Sequence, residues 1–308
     1  MENMMAVQIH EYGGPEVLTL ESVPRPQPGR GEVLIRVHAA GVNPVDWKIR
    51  AGYLKEFVPL QMPAILGKDV AGEVEAVGPG VSRFREGDEV YGITKVAYAE
   101  FVVAQENEIA LKPRCVEFFQ AAGIPLAALT AWQALLEAGE LMKGQRVLIH
   151  GAAGGVGGFA VQLAKINGAY VIGTSSKRNE SFLRELGVDH VIDYRTTRFE
   201  NEVRDVDLVL DTRGGETQDR SWSVLRQGGT LVSIVEPPSQ PEAAKHRAKA
   251  KLVTHHPNAR ELEEITRWVE RGKLKVFVDP LLSLAEVKRA HEISQLGHTR
   301  GKIVLQVA

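Results

Sequence analysis

The sequence predicts an α/β protein of two domains: an antiparallel β-rich barrel or sandwich, and a doubly wound parallel sheet. Three observations predict it. The chain has 308 residues, more than one domain usually needs. Its first part is cut by Gly and Pro into short alternating segments, as antiparallel strands are. From Arg146 onward strand-like and helix-like segments alternate, the pattern of parallel strands joined by crossover helices.

In chain order, the β-rich part is read from GEVLIRVHAAGVN (31–43), VAGEVEAVG (70–78), DEVYGI (88–93) and AEFVVA (99–104). Each alternates or runs apolar between turn residues. Beyond Ala121 the character changes. AALTAWQALLEAG (127–139) has helical spacing and stops at Gly139. RVLIH (146–150) reads as a strand and GGFAVQLAKIN (157–167) as a helix. YVIGT (170–174), SFLRELG (181–187) and HVID (190–193) give strand, helix and strand. VDLVLD (206–211), TLVSIV (230–235) and KLVTHH (251–256) complete the series. EPPSQPEAA (236–244) carries prolines and polar residues that favour no regular element and predicts a mobile loop. ARELEEITRWVERGKL (259–274) is a long amphipathic helix, and KIVLQV (302–307) is a strand able to return to the first domain.

Composition narrows the function classes. With 44% hydrophobic and 25% charged residues the chain has ordinary globular composition. A net charge of -2 points to neither nucleic acid nor a membrane surface, and the short run Lys245–Lys251 reads as a solvated helix face. No apolar stretch approaches the length of a membrane span. Cys115 is the single cysteine, so an internal disulfide and a multi-thiolate zinc site are both excluded. The N-terminal MENMMAVQIHEYGG lacks a signal-peptide pattern, and the cytoplasm is the expected location.

HGAAGGVGGFA (150–160) holds five glycines between a strand and a helix, the setting that makes a glycine pattern specific for a dinucleotide. Gly151, Gly154, Gly155 and Gly157, with Val156, permit a tight turn, close approach of a pyrophosphate and close packing of helix on strand. Bare N–H groups at the helix start then face the anion. An NAD site would place Asp or Glu at the end of the second strand. Here that position holds Ser175, Ser176, Lys177 and Arg178, and the first acidic residue is Glu180. Two cations and two hydroxyls suit a 2′-phosphate, so the cofactor expected is NADPH.

On these residues the chain resembles the medium-chain dehydrogenase/reductases, in their zinc-independent quinone oxidoreductase branch. The resemblance runs from EYGGPEVL (11–18) to RGKIVLQV (300–307). It passes through GVNPVDWKIRAGY (41–53), ILGKDVAGEVEAVG (65–78), PLAALTAWQAL (125–135), GAAGGVGGFAVQLAK (151–165) and DTRGG (211–215). NPVDWK is similar to the plant-type enone and alkenal oxidoreductases. The family implies a GroES-like catalytic domain (1–122 and 258–308) around a Rossmann NADPH-binding domain (123–257), and a homodimer paired through the strand at 251–256.

The resemblance also bears on metal and mechanism. Zinc alcohol dehydrogenases of the superfamily carry Cys where this chain has Asn43, His-Glu where it has Lys68-Asp69, and a four-cysteine lobe without counterpart here. Zinc needs such soft or imidazole ligands, so no metal is expected. The activity implied is reduction of a quinone or an α,β-unsaturated carbonyl by hydride from NADPH, the substrate being a small molecule. An enoyl-thioester reductase and a non-catalytic NADPH-binding sensor or structural protein are the alternatives. By similarity, Lys48 reaches the nicotinamide ribose and substrate oxygen, Asn43 orients substrate or nicotinamide, and Tyr53 borders the substrate and donates a proton. Read as residues alone, Lys48 has a surface cation as its alternative, Asn43-Pro44 a turn, Tyr53 a rim aromatic, and Asp46 caps or pairs with a neighbour. Lys68 is either catalytic or an ion-pair partner of Asp69. For the cofactor the resemblance adds Thr130, Tyr194 and Val235, with Gly301 and Lys302 closing the site.

Overall fold

Residues 2–308 are described by the computed structural model, and they divide into two units. One comprises the chain up to Leu126 with Pro257–Ala308; the other is Ala127–His256.

The first unit opens with β1 (Asn3–Ile9) and β2 (Thr19–Pro24), paired antiparallel. The long strand β3 (Glu32–Val42) leads directly into the helix α1 (Pro44–Arg50). Then come β4 (Ala64–Ile65), β5 (Asp69–Val77), β6 (Glu89–Ile93), β7 (Phe101–Gln105) and β8 (Ile109–Leu111). The short helix α2 (Phe118–Ala122) follows. β2, β1 and β4 form a three-stranded sheet. β3 is apolar and buried along both faces except near Arg36, as a strand covered on two sides must be.

α3 (Pro125–Trp132) starts the passage to the second unit and runs into a π-helical stretch over Gln133–Ala138. The single helix expected over 127–139 is therefore two hydrogen-bond geometries end to end. Gly139 ends it by donating to the Ala134 carbonyl, five residues back. Strand and helix then alternate as expected: β9 (Arg146–Ile149), α4 (Gly155–Ile166), β10 (Tyr170–Ser175), α5 (Glu180–Glu185) and β11 (His190–Asp193). β12 (Val206–Asp211), α6 (Gly215–Ser221), β13 (Leu225–Ser233), α7 (Gln240–Lys245) and β14 (Lys249–Leu252) complete the unit. All six strands are parallel, in the order β11-β10-β9-β12-β13-β14. The order reverses beside β9, where open α/β sheets bind ligands at the carboxyl ends of their strands.

Two expectations are corrected here. The strand read at 251–256 is β14 at Lys249–Leu252; its register ends where Leu252 meets Ser233, the last residue of β13. The segment 236–244 is expected to hold no regular element, yet α7 begins at Gln240. Ser239 accepts the Glu242 N–H at 3.3 Å, and Pro241 lies in the first turn, where its missing N–H is harmless.

The chain returns to the first unit with α8 (Ala259–Glu270), β15 (Val278–Ser283), α9 (Val287–Leu296) and β16 (Lys302–Gln306). β16 pairs antiparallel with β3, Ile303 opposite Val42. This completes a seven-stranded sheet ordered β15-β16-β3-β5-β6-β8, with β7 also on β3. Tyr91 on β6 donates to the Leu262 carbonyl at 2.8 Å and fastens α8 to this unit.

Candidate active site

In the first unit the expected catalytic residues gather on α1 and the turn after it. Asn43 caps the helix with extended backbone, and Pro44 fills the first turn. The Asp46 carboxylate reaches back to accept the Asn43 N–H at 2.7 Å, half of a capping box. Lys48 is half-buried one turn further, its ammonium 5.9 Å from the centre of the Trp47 ring. Tyr53 is 70% exposed; its N–H donates to the Lys48 carbonyl at 3.0 Å, and its ring stands edge-on to Trp47 with centroids 5.9 Å apart. Both groups thus lie 5.9 Å from the centre of the Trp47 ring. The sequence reading passes over it, although it sits inside NPVDWK.

Asn43 itself is buried, and both polar atoms of its amide are hydrogen-bonded. Its oxygen accepts from the Lys302 ammonium, and its nitrogen donates to Asp69 Oδ2 at 3.0 Å. Lys302 also lies 3.2 Å from that same oxygen, while Asp69 Oδ1 accepts the Leu126 N–H at 2.8 Å. Asp69 therefore pairs with Lys302, not with its neighbour Lys68.

A second buried chain runs from the other side of Asn43. Tyr98 donates to Asp46 Oδ2 at 2.9 Å, His291 Nε2 lies 3.3 Å from the Tyr98 oxygen, and Arg50 lies 3.3 Å from His291 Nδ1. Arg50 can only donate, so His291 accepts at Nδ1 and donates from Nε2 as a neutral imidazole. Burial first, and then the Arg50 charge, push the His291 pKa down to about 3. Burial pushes Asp46 the other way, up to about 6, against its hydrogen bonds from Asn43 and Tyr98. Asp46 Oδ1 is buried without a partner among the described residues. Neither Tyr98 nor His291 carries a sequence signal, because their partners are far along the chain.

In the second unit the expected cofactor residues lie at or past the carboxyl ends of β9, β10, β11 and β13, except Thr130, which is on α3. Gly154 is the N-cap of α4 and brings no side-chain cap, so the first N–H groups of this 12-residue helix are left for an anion. The loop before it is pinned on both sides. Ala152 N–H donates to the Thr174 carbonyl at 3.1 Å, and Thr212 Oγ1 donates to the His150 carbonyl at 2.7 Å. His150 is buried, 3.1 Å from Thr174 Oγ1 and 2.9 Å from Ser221 Oγ, and burial pushes its pKa down to about 4. Gly157 is required by packing. A Cβ there would fall on the Gly151 carbonyl oxygen and 2.8 Å from Ala152 Cα. Val156 fills the turn of helix between Gly155 and Gly157.

Ser175 and Ser176 are buried at the end of β10, and Lys177 and Arg178 are exposed on the short 3₁₀ turn that follows. The Tyr194 N–H donates to the Ser175 carbonyl at 3.2 Å, bringing the end of β11 beside that turn. Asn179, unremarked in the sequence, donates to Ser175 Oγ at 3.1 Å. Val235 is half-exposed past β13, its N–H 3.3 Å from Ser233 Oγ. Thr130 is buried on α3. Asp211, fully buried, knots the loop after β12 by accepting from Gly214 N–H at 2.8 Å and from Ser233 and Gln218 at 2.9 Å each.

Comparison with known proteins agrees along the chain. Residues 29–114 match the alcohol dehydrogenase GroES-like domain family, and residues 186–305 match the zinc-binding dehydrogenase family. The solved quinone oxidoreductase of Coxiella burnetii is 37% identical, covers 100% of both chains and has a TM-score of 0.92. The 2-methylene-furan-3-one reductase of Solanum lycopersicum is 35% identical over 98% of this chain and 79% of its own. A mycobacterial protein solved complexed with NADPH is 32% identical over 99% of this chain and 100% of its own, with a TM-score of 0.88.

Proposed function

This chain belongs to the medium-chain dehydrogenase/reductase superfamily as an oxidoreductase using a nicotinamide cofactor, and we propose that it is an NADPH-dependent, zinc-independent reductase of quinones or α,β-unsaturated carbonyls. The observation that carries this reading is the state of Asn43 and Asp69. By the resemblance, Asn43 and Lys68 stand where zinc relatives place a cysteine and a histidine, and Asn43 and Asp69 are closed around the Lys302 ammonium. An amide oxygen and a carboxylate already holding a cation are a poor donor set for zinc. Substrates that need no Lewis acid, being electrophilic already, fit such a chain.

Bound NADPH supplies the hydride. The rest falls to the protein's own residues. The uncapped start of α4, at Gly154–Gly157, holds the pyrophosphate. Lys177 and Arg178, with Ser175 and Ser176, take the 2′-phosphate, since the end of β10 offers no carboxylate to a free ribose. Tyr194, Thr130 and Val235 border the cofactor. Lys48, steadied by Trp47, holds the nicotinamide ribose and faces the substrate oxygen as charge builds on it; Tyr53 supplies a proton. The outer edge of β14 ends the parallel sheet, and pairing of that edge with its copy makes the proposed homodimer. A single cysteine suits the reducing cytoplasm proposed as its location.

The test is steady-state oxidation of NADPH and NADH with a chelator present. The acceptors are a naphthoquinone, a benzoquinone, acrolein, a longer alkenal and a crotonyl thioester. Turnover with NADPH on quinones or enones is expected. Turnover only on the thioester, loss of activity to the chelator, or silence with every acceptor would each overturn the reading.

A further inference from the structure

We propose that Lys302 and Asp69 are positioning residues that act through Asn43, clamping the start of α1 and thereby aiming Lys48; the role rests on the reductase reading above. The topology converges on this point. β3 ends at Val42, next to Asn43, with β16 on one side and β5 on the other. The register Ile303 to Val42 brings Lys302, the first residue of β16, beside Asn43, and the register Gly41 to Asp69 does the same for the first residue of β5. Gly41 makes room for it: a Cβ there would stand 2.8 Å from Asp69 Cβ and 2.9 Å from Asp69 Oδ2.

The three side chains are sealed from water, with 2% of Asn43, 0% of Asp69 and 4% of Lys302 exposed. Burying an ion pair brings little stability over an apolar replacement; here the closed ring of Lys302, Asn43 and Asp69 links three strand and helix ends instead. Here Asn43 is held by its amide oxygen, its amide nitrogen and, through Asp46, its backbone N–H. Lys48 follows five residues later, little more than one helical turn. A rotation at the N-cap therefore carries Lys48 with it. Asp69 adds the Leu126 N–H to the same clamp, so the start of α3 is fixed with it.

The experiment measures kcat and NADPH affinity for Lys302→Met, Asn43→Ala and the double variant, with Lys302→Arg as the conservative rescue. The acceptor is one that the unaltered protein reduces. Lys302→Met is expected to lose about 10–100-fold in kcat, as sub-ångström misplacement of a catalytic group does. Its NADPH dissociation constant should stay within about threefold, less than 1 kcal/mol. The double variant should be no slower than the slower single one, because one clamp is broken either way, and Lys302→Arg should recover most of the rate. Unchanged kcat in Lys302→Met, or losses that multiply in the double variant, would overturn the clamp while leaving the reductase reading intact. An unaltered protein that leaves NADPH unoxidised with every acceptor would overturn the reading first, and the clamp with it. If circular dichroism shows Lys302→Met unfolded, Asp69→Asn, which keeps the shape and removes the charge, takes its place with the same outcomes.

Discussion

Replacing Asp46 by Asn should shift stability in the variant's favour, relative to the unaltered protein, as pH rises from acid to neutral. Asp46 is buried with one carboxylate oxygen hydrogen-bonded to Asn43 and Tyr98 and the other without a partner among the described residues. Its pKa rises from 3.8 to about 6, so the folded protein prefers the neutral acid. Each pH unit of such a displacement is about 1.4 kcal/mol, so the whole is worth about 3 kcal/mol. The sign follows from the raised value. The contribution is fully present below the unfolded pKa near 3.8 and is lost as pH rises through about 6. Asn stays neutral throughout and its oxygen can accept both hydrogen bonds. Its NH2 replaces an oxygen that had no partner, a penalty of about 1–3 kcal/mol that does not change with pH. The difference in unfolding free energy, Asp46→Asn variant minus unaltered protein, should therefore grow by about 3 kcal/mol between pH 3 and pH 8. In a domain of this size that is about 6–12 °C in Tm. Denaturant unfolding of both proteins at half-unit pH steps measures it. A difference flat across the range, or one that shrinks toward pH 8, would refute the reasoning and show that Lys302 holds Asp46 ionised.

The other predictions concern separate parts of the molecule. His150 and His291 are buried neutral with pKa values near 4 and 3, and His38 is lowered too. The stability they contribute is present above about 6.5 and is lost as pH falls toward their folded values, so acid unfolding should begin below pH 6.5. Asp46 opposes that loss, and the Asp46→Asn variant should lose stability more steeply on the same pH series. Gly157→Ala should destabilise the second unit by about 1–3 kcal/mol, because the new methyl meets backbone, and should weaken NADPH binding measured by fluorescence. Gly158→Ala, whose nearest neighbour is Leu186 Cδ1 at 3.7 Å, should instead stabilise by up to about 1 kcal/mol on the same assays. Lys177→Ala with Arg178→Ala should raise the KM for NADPH by about 10–100-fold through lost charge-assisted contacts. NADH should change little, and equal effects on both cofactors would remove the 2′-phosphate assignment. Lys48→Ala should lower kcat about a hundredfold or more with NADPH binding retained; an undiminished kcat would take Lys48 out of the mechanism.

What is legible in the sequence depends on whether the determining contact is local. β9, the glycine turn and α4 lie within 21 residues, Arg146 to Ile166. Hydrophobic period and glycine placement are visible at that range, and element bounds there fall within a residue or two. β14 is displaced from its expected place because its ends are set by register with β13, not by its own composition. α7 escapes the pattern because its proline reads as a breaker when it occupies the first turn. The strands β1 and β2 and the returning β15 and α9 are not delineated by pattern either. At the site, Asn43, Lys48 and Tyr53 share one motif and are found together. Tyr98, Asp69 and His291 reach the same helix from the loop before β7, from β5 and from α9, a convergence that periodicity in one dimension does not encode.

The pairing of β16 with β3 also sets a timetable. Ile303 meets Val42, a partner made roughly 260 residues earlier, and translation at about 5–20 residues per second separates the two by tens of seconds. For that interval the Ala39–Val42 part of β3 lacks its partner strand, β7 covering only Glu32–Arg36 of that edge, while the contiguous second unit can be finished and folded. Asp69 waits as well, for burying its carboxylate before Lys302 arrives would leave a charge uncompensated. Premature closure of the half-made unit is thereby discouraged until the strand that completes it has been synthesised.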